Sequence, residues 1–428
     1  MTNDAALSDL CELIVDCPHS TPKWTDSGFL VLRSSNIRGG RLDLSNRSYT
    51  DEAHYKQRSR RAELRAGDLV ITREAPMGEV CMIPLDLRCC LGQRMVLLRP
   101  DPQKCDGRFL LYAIQSPIVQ NQISWSEGTG STVSNLRIPH LEALRIPTPT
   151  LTEQRVIAGV LGALDEKIEQ NRRMAQTLEK LARATFKAWF MEFEPVKAKA
   201  DGHTSFPGMS DSTFAALPDR LMDSPLGPVP QGWTVRSLNE VADINPPRRL
   251  SKGQDAPYLD MKNMPTDGHA PDAWERRAHG SGMRFINGDT LVARITPCLE
   301  NGKTAYVDFL SDGEVAWGST EYIVLRPKAP LPGVYAYCLA RTPEFRDFAI
   351  QNMTGTSGRQ RVSASALNHY HVAVPDSVTA AAFGDVILPL FQCIRACKAE
   401  SSKLGMLRDY LLPRLLSGSL HVESKGAA

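Results

Sequence analysis

Several signals that define common protein classes are absent from this chain of 428 residues. Its ten cysteines include no Cys-x-x-Cys pair, so they predict neither a zinc site nor a disulfide framework, and reduced, mostly buried thiols are expected. The first residues lack a basic region followed by an apolar core, and we find no apolar run of about 18 residues that would span a bilayer. We therefore expect a cytoplasmic protein with no membrane contact and no metal ion of its own.

An excess of charge of one sign is also absent. The chain has 50 Lys and Arg residues against 48 Asp and Glu residues, which gives a formal net charge of +2. This total does not indicate nucleic-acid binding, because counterion release depends on local clusters of basic side chains. Such clusters occur at residues 58–65, 248–252 and 359–361. A solvated surface is the common reason for a basic cluster, but their occurrence in both halves of the chain favours a binding role.

No complete catalytic motif is present either. Asn245-Pro246-Pro247 is similar to the start of the Asn-Pro-Pro-aromatic motif of amino-methyltransferases, but Arg248 stands where an aromatic ring would stack on a flipped base. Residues 302–304 read Gly-Lys-Thr, like the end of a phosphate-binding loop, but Pro297 occupies the position of the first glycine of that loop. A turn between strands is the better interpretation of residues 302–304. The chain is therefore predicted not to be an enzyme.

What the chain does contain is an internal repeat. Residues 67–76 and 288–297 both read Gly-Asp-x-x-x-x-Arg-x-x-Pro, at an offset of 288 − 67 = 221. Asn36 and Asn263 are 227 residues apart, as are the Leu-Arg-Pro triplets at 98–100 and 325–327, which read as apolar strands that end at a proline. Further Ile-Pro and Val-Pro pairs precede the last segment of each copy. Four landmarks in one order predict a duplicated chain.

Each copy ends in a predicted long amphipathic helix. In the first, apolar residues recur at alternating steps of four and three from Ile157 to Trp189, and adding 226 gives a similar stripe from Phe383 to Leu415. Charged residues occupy the other faces, which is typical of helices that pack along one seam. Packing of each helix on its own domain alone is the alternative.

Individual residues modify this prediction. Thr152 is a candidate N-cap for the first helix, whereas the second lacks the Thr-Glu-Gln start of the first. Pro389 is expected to kink the second helix or delay its start, and Arg408 is expected to interrupt its apolar seam. Asn171 either fixes the register of the two helices or is a tolerated polar residue.

Short strands separated by turns precede each long helix, with helices expected near residues 107–122 and 331–352. This pattern predicts an α+β fold. The predicted organisation is a domain at 1–150, a helix at 151–193, a Pro- and Gly-rich linker at 194–231, a second domain at 232–376 and a second helix at 377–420. The two helices are expected to pack as an antiparallel coiled coil.

In this order of elements the chain resembles the DNA-specificity subunits of type I restriction-modification systems. The resemblance rests on the two Gly-Asp strands, on the strand at 319–327, on Leu-Thr-Glu-Gln-Arg at 151–155, on Pro-Gln-Gly-Trp at 230–233 and on the ending at 411–418. It implies two target-recognition domains and two spacer helices, and it implies that catalysis belongs to other subunits. The implied partners are double-stranded DNA, two methyltransferase subunits and restriction/translocase subunits. S-adenosylmethionine, ATP and magnesium would be bound by those subunits, and no cofactor by this chain.

If the resemblance holds, Arg, Asn, Gln, Lys and Thr side chains in the two domains would read base edges. The interpretation as solvated loop polarity remains open for each. Two Gly-containing loops, at 128–132 and 355–361, are the strongest candidates, because glycine allows the backbone to approach phosphate closely. The candidates are Arg33, Asn36, Arg73, Gln93, Arg94, Thr129 and Ser131 in the first copy, and Lys262, Asn263, Arg294, Thr320, Arg359, Gln360 and Arg361 in the second.

A second hypothesis belongs to another functional class. The chain would be a duplicated coiled-coil scaffold that assembles partner proteins without reading DNA. This hypothesis explains the helices and the low net charge, but it does not account for the polar, Gly-containing loops and arginine clusters outside the helices.

Overall fold

The computed structural model describes residues 4–125, 135–271, 273–356 and 358–421. The chain divides into two compact units. Unit 1 comprises Met1–Glu169 and Ser401–Ala428, and unit 2 comprises Gln170–Glu400. Each unit contains one copy of the repeat and part of each long helix. The predicted α+β chain, with a long helix after each domain, is confirmed.

The domain of unit 1 consists of short strands and short helices. Its strands are β1 (Asp4–Ala6), β2 (Cys11–Asp16), β3 (Phe29–Leu32), β4 (Ile37–Arg38), β5 (Arg41–Leu42), β6 (Tyr49–Thr50), β7 (Leu69–Thr72), β8 (Val80–Met82), β9 (Cys89–Leu91), β10 (Met95–Pro100) and β11 (Arg145–Pro147). Its short helices are α1 (Leu7–Leu10), α2 (Glu52–Arg58), α3 (Gly107–Gln115), α4 (Pro117–Ser124) and α5 (Ile138–Glu142). The helices α3 and α4 confirm the helical prediction for this region.

The long helix α6 (Leu151–Phe190) follows this domain. Its N-terminus is capped two residues earlier than predicted, because Thr150 and not Thr152 pairs with Glu153. The Glu153 carboxylate accepts from the Thr150 hydroxyl at 2.7 Å and from the Thr150 N–H at 2.9 Å. Two short helices follow, α7 (Glu194–Ala200) and α8 (Asp211–Ala216).

Residues 194–231, the predicted linker, pack against unit 2. Val196, Phe214 and Leu217 are buried in the core cluster of that unit, and Leu221 packs against it. The segment is therefore an ordered connector that contributes apolar surface to unit 2.

The domain of unit 2 repeats the architecture of the first. Its strands, together with two in the connector, are β12 (Leu221–Met222), β13 (Val229–Pro230), β14 (Thr234–Ser237), β15 (Ala242–Ile244), β16 (Asp255–Leu259), β17 (Glu275–Ala278), β18 (Met283–Phe285), β19 (Thr290–Ala293), β20 (Thr304–Tyr306), β21 (Ala316–Gly318), β22 (Tyr322–Pro327), β23 (Met353–Thr354), β24 (Arg361–Val362) and β25 (His371–Val374). Its helices are α9 (Leu238–Val241), α10 (Gly333–Ala340), α11 (Pro343–Gln351), α12 (Ala364–Leu367) and the long α13 (Ser377–Leu416).

The central sheets of the two domains have the same topology. The strand order is β2-β10-β7-β8 in unit 1 and β15-β22-β19-β20 in unit 2, and all neighbours are antiparallel. The Gly-Asp motif begins β7 and β19, and the Arg-Pro pair ends β10 and β22. The duplication predicted from four sequence landmarks is therefore present in the fold.

Each central sheet lies between two layers, because side chains of a strand alternate between its faces. In β7, Leu69 and Ile71 join the buried cluster that contains α3 residues, whereas Val70 joins the cluster formed with β3 and β9. In β19, Val292 joins the cluster that contains α10, and Leu291 joins the one that contains Leu259 of β16. Burial on both faces explains the apolar character of these strands.

The two long helices are each 40 residues long, and each contributes to both units. All positions of the two predicted stripes are buried or half-buried. In unit 1, Ile157 and Leu161 share a cluster with Leu412 and Leu415. In unit 2, the ring centroids of Phe190 and Phe383 are 4.8 Å apart. The helices therefore pack on each other's residues as well as on the domains, which excludes packing on the domains alone.

The structure bears on both residues singled out in the second helix. The helix begins at Ser377, where Asp376 accepts from the N–H groups of Val378 and Thr379 at 2.9 Å, so the alternative that Pro389 delays its start is wrong. Pro389 is exposed, and the carbonyl left without a donor one turn earlier can be hydrated. At Arg408 a polar pair stands in the apolar seam, because its guanidinium donates to the Asp165 carboxylate at 2.8 Å.

The expectation about apolar runs also needs correction. The helix Ser377–Leu416 is long and apolar enough to cross a membrane by length and composition. Its residues Phe383, Ile387 and Phe391 are buried in the core cluster of unit 2. This part of the helix therefore packs into a protein core.

Candidate nucleic-acid interface

In unit 1, the candidate residues meet at one edge because β3 and β9 are parallel. Leu30 pairs with Cys89 and Leu32 with Leu91, so the segments that follow both strands emerge on the same side. Arg33 follows β3, and Gln93 and Arg94 follow β9. We call residues 33–36, 73–74 and 93–94 the first edge.

Unit 2 has the same arrangement. Strands β16 and β21 are parallel, with Tyr258 opposite Trp317 and Leu259 opposite Gly318. Lys262 and Asn263 follow β16, and Thr320 and Glu321 follow β21. We call residues 260–263, 294–296, 319–321 and 359–361 the second edge.

The main chain joins the parts of both edges by matched hydrogen bonds. In unit 1 the Arg73 N–H donates to the Arg94 carbonyl at 2.8 Å, and the Leu136 N–H donates to the Arg73 carbonyl at 3.0 Å. In unit 2 the Arg294 N–H donates to the Glu321 carbonyl at 3.0 Å, and the Val362 N–H donates to the Arg294 carbonyl at 2.9 Å. The arginine of each Gly-Asp motif therefore makes equivalent main-chain hydrogen bonds in the two domains.

The loop at 355–361 is attached to the second edge by further bonds. The Thr296 N–H donates to the Gln360 carbonyl at 3.0 Å, and the Gln360 N–H donates to the Thr296 hydroxyl at 3.1 Å. The corresponding loop of the first copy contains Thr129 and Ser131, which lie outside the described residues. The glycine-containing loop of the second copy thus belongs to the surface that carries the other candidates.

Some candidates are exposed at these edges. Arg33 lies over the ring of Trp24, with 5.6 Å between its Cζ and the ring centroid, and Trp24 is itself 46% exposed. Lys262, Thr320 and Arg359 are exposed, and Asn263 is half-buried. Exposed cationic and hydroxyl groups of this kind can donate to phosphates and to base edges. Trp24 was missed by sequence reasoning, although a lone Trp near an arginine was the available signal.

Other candidate side chains form hydrogen bonds within the protein that hold the loops of the first edge in place. Asn36 is 2% exposed, its side-chain amide donates to the carbonyls of Asp43 and Asn46, and its Oδ1 accepts from the Arg33 N–H. Arg73 donates to the Asp16 carboxylate at 2.7 Å and to the carbonyl of Leu136. The expectation that Asn36 reads a base is corrected on this ground, because its amide is buried and its polar atoms are satisfied within the protein. Arg73 uses three of its five N–H groups and its side chain is 12% exposed, so a base-reading role for Arg73 stays a prediction. Half-buried Gln93 donates to the His19 carbonyl at 2.7 Å.

At the repeat offset of 227, Arg94 of the first edge corresponds to Glu321 of the second, and each of these two charges is balanced within its own edge. Glu74 lies 3.0 Å from the Arg94 guanidinium in the first edge. In the second, the Glu321 carboxylate accepts from Arg361, and this hydrogen bonding raises the pKa of the Arg361 guanidinium. Arg294 Nε lies 3.9 Å from the same carboxylate. The two edges therefore have equivalent main-chain hydrogen bonds but opposite arrangements of charge.

The arginine clusters seen in the sequence are partly structural. Arg58 is 7% exposed and donates to four carbonyls, those of Pro18, Ser20, Leu91 and Gly92. Arg248 donates to the buried Asp289 carboxylate at 3.2 Å. The favoured binding role does not apply to these two residues, because their guanidinium groups are used inside the fold.

Both fragments of catalytic motifs have structural roles. The Asn245 Oδ1 accepts from the Val324 N–H at 2.9 Å, which fixes the edge of β22. Lys303 donates to the Met261 carbonyl at 2.7 Å, in the turn that precedes β20. The interpretation of residues 302–304 as a turn between strands is confirmed. The Asn245 side chain binds the main chain of a strand and does not hold a target amine.

The two copies have equivalent main-chain hydrogen bonds at their edges but carry different side chains there. A duplicated chain of this kind is a recognition protein with two sites. Residues 6–180 match the family model described as the type I restriction modification DNA specificity domain. Over 371 residues the chain is 24% identical to the type I restriction enzyme MjaIX specificity subunit of Methanocaldococcus jannaschii, covering 83% of this chain and 78% of that protein. It is 21% identical to the HindI specificity subunit of Haemophilus influenzae over 416 residues, covering 83% of this chain and 87% of that protein.

The fold is similar to that of the S subunit of a type I restriction-modification system from M. genitalium. The TM-score is 0.55 at 18% identity, and the alignment covers 96% of this chain and 95% of that one. In sequence the chain is therefore similar to the DNA-specificity subunits of type I restriction-modification systems over most of its length, and in fold it is similar to one of them.

Proposed function

We propose that this chain reads a split DNA target, with one half-site for the domain at 1–150 and the other for the domain at 232–376. The observation that carries the proposal is the pair of matched edges. Their main-chain hydrogen bonds are equivalent, whereas Arg94 in one edge is replaced by Glu321 in the other. Side chains of opposite charge in the same frame recognise different acceptors and donors, so the half-sites differ in sequence.

The exposed cations of the edges would position the duplex through phosphate contacts, and fewer side chains would read the bases. Arg33 and Arg94 have this role in the first domain, and Lys262 and Arg359 in the second, where the exposed Thr320 hydroxyl can also donate to a phosphate. Because phosphate contacts release counterions, binding should weaken steeply with salt concentration.

We further propose that α6 and α13 form an antiparallel coiled coil. Within unit 1 the Asp165 carboxylate pairs with Arg408 at 2.8 Å, and within unit 2 the Asn171 side chain donates to Glu400 at 2.7 Å. Higher residue numbers in α6 therefore meet lower numbers in α13. A helix of 40 residues is about 60 Å long, which exceeds one turn of DNA. The spacer helices are assigned to residues 151–193 and 377–420, with the connector at 194–231.

Specificity subunits of type I systems assemble with methyltransferase and restriction subunits. For this chain we propose two methyltransferase subunits and the restriction/translocase subunits as partners, acting in the cytoplasm. S-adenosylmethionine, ATP and magnesium would be bound by those partners. The chain would thereby direct adenine methylation, or cleavage, to its own target.

Methylome sequencing of the host with and without this chain tests the proposal. A split methylated motif should be present in the parent and absent from the deletion strain, and expression of the chain should restore it. The scaffold hypothesis predicts an unchanged methylome in the deletion strain, with loss of a protein assembly instead. An unchanged methylome, in cells that express the methyltransferase subunit, would contradict the proposed function.

A further inference from the structure

The most constrained polar group at the second edge is the guanidinium of Arg361. Its Nε donates to both oxygens of the Glu321 carboxylate at 2.9 Å, and its Nη2 lies 2.8 Å from Oε1 of the same carboxylate. Its Nη1 donates to the Arg359 carbonyl at 3.2 Å. Contacts on two sides of a planar group fix the orientation of its plane.

These contacts leave a defined pair of donors. A guanidinium has five N–H groups, and three of them are used: the one on Nε and one on each terminal nitrogen. Among the described residues, the remaining N–H of Nη1 and that of Nη2 have no acceptor. The Arg361 side chain is 39% exposed, so this pair is accessible to a ligand.

The surroundings favour a ligand that accepts two hydrogen bonds. Arg294 shares the Glu321 carboxylate only at 3.9 Å, and its buried Nε has no hydrogen-bond partner in the described part of the chain. Arg359 is exposed beside it. The guanidinium groups of Arg361 and Arg294 thus lie near one carboxylate. In the major groove only guanine presents two adjacent acceptors, N7 and O6, whereas adenine and cytosine present an amino donor and thymine a single acceptor.

We propose that Arg361 reads a guanine in the half-site of the second domain, and that Glu321 is the positioning residue that holds its guanidinium in the plane of that base. The inference rests on the proposed function and names the base and the residue that orients its reader. In the structure the Glu321 carboxylate binds Nε and Nη2 of Arg361, which leaves the second N–H of Nη2 for a ligand.

Among its described residues, the first domain does not repeat this arrangement. Asn135 occupies the position of Arg361 at an offset of 226, and its Oδ1 accepts from Arg73 at 3.1 Å. The Glu74 Oε2 lies 3.0 Å from the Arg94 Nε. Changes at Glu321 and Arg361 should therefore affect the second half-site alone, and Glu74→Gln is a matched control with the same chemical change in the other domain.

The test uses the full chain expressed with its partner subunits in a host that lacks it, followed by methylome sequencing. The wild-type motif should contain one strictly required guanine that Arg361→Lys relaxes, because lysine keeps the charge but cannot donate bidentately. The expected loss of discrimination at that base pair is about 5- to 150-fold. Glu321→Gln should relax the same position by about fivefold and should add nothing in the Arg361→Lys background.

Three results would overturn the inference. The first is a second half-site that keeps its full preference at every position in both Arg361→Lys and Arg361→Ala. The second is a Glu321→Gln effect at a base pair that Arg361→Lys leaves unchanged, because Glu321 would then read a base itself. The third is an equal effect of Glu74→Gln on the second half-site. Thermal unfolding of the purified variants separates these results from loss of folding, and Arg361→Lys decides if Arg361→Ala does not fold. Failure of the proposed function is distinguished by a methylome that the wild-type chain does not change.

Discussion

At the scale of single residues, the aspartate of each Gly-Asp motif joins the start of one strand to the end of another. Asp68 accepts from the Arg65 N–H at 2.7 Å and from two nitrogens of Arg99 at 2.8 Å. Asp289 accepts from the Ile286 N–H at 2.9 Å and from Arg326 at 2.6 Å. The carboxylates are 2% and 0% exposed, so each ion pair is shielded from water.

Removal of one of these carboxylates should therefore be costly. We expect Asp289→Ala to lower the free energy of unfolding by about 3 kcal/mol, because Arg326 and the Ile286 N–H lose their buried acceptor. Urea unfolding followed by circular dichroism measures this as a lower midpoint. The control is Glu275→Ala, which removes an exposed pair with Arg277 and should change stability by less than about 0.5 kcal/mol. Equal effects of both substitutions would contradict the structural role of Asp289.

The cysteine thiols differ in how deeply they are buried. All ten cysteines are free, six are buried, and only Cys393 is exposed. Burial raises the pKa of Cys81 and of Cys89 to about 12, which lowers the fraction of reactive thiolate at pH 8. In a timed iodoacetamide reaction read by mass spectrometry, Cys393 should be modified first and Cys81 and Cys89 last. In urea all ten should react at similar rates, and rapid labelling of Cys81 in the native protein would be inconsistent with its burial.

At the scale of elements, each domain is attached to α6 by a tyrosine that donates to a carboxylate. The Tyr112 hydroxyl donates to Asp165 at 2.8 Å in unit 1, and the Tyr337 hydroxyl donates to Glu179 at 2.5 Å in unit 2. Burial raises the pKa of both tyrosines, so both hydroxyls are protonated donors near neutral pH. Asp165 also accepts from Arg408 and Arg41, whereas Glu179 is 5% exposed.

The same substitution should thus have different effects at the two attachments. We expect Tyr337→Phe to destabilise the protein by about 2 kcal/mol, because the buried Glu179 carboxylate loses its tyrosine donor. Tyr112→Phe should cost about 1 kcal/mol or less, since Asp165 keeps two arginines. Denaturant midpoints of the two variants, measured side by side, check the difference. A larger loss for Tyr112→Phe would refute this account of the attachments.

The elements themselves were largely predictable, because apolar periodicity and turn residues act locally. The bounds of α6, the helices after β10 and β22, and the position of the repeats follow from such patterns. The pairing of Asp68 with Arg99 was not predictable, since it joins two landmarks 99 − 68 = 31 residues apart that sequence reasoning treated as separate. The roles of Asn36 and Asn245 were equally hidden, because a polar side chain satisfied by main-chain atoms looks in sequence like an exposed one.

At the scale of the whole molecule, the two domains should act as separate readers. Replacement of residues 1–150 by the first domain of another family member should change one half-site of the methylated motif and leave the other intact. The reason is that Arg94 and Glu321 belong to edges in different compact units. Methylome sequencing of the chimaera measures both halves at once. A change in both half-sites would show that the readers are coupled.

The candidate site was predictable in outline and not in detail at this scale. Sequence reasoning located the loop at 355–361 and the segments after β3, β9, β16 and β21. It could not show that parallel pairing brings these segments to one edge, because partners such as Leu259 and Gly318 are far apart in the chain. Nor could it distinguish exposed Arg359 from buried Arg58, which differ only in tertiary surroundings.

The matched main-chain bonds have a consequence for how such proteins acquire new targets. The carbonyls of Arg94 and Glu321 accept equivalent hydrogen bonds, although their side chains carry opposite charges. On the proposed function, the main chain keeps the fold while the side chains at such positions select the target. A single codon change there is therefore expected to redirect the protein without unfolding it.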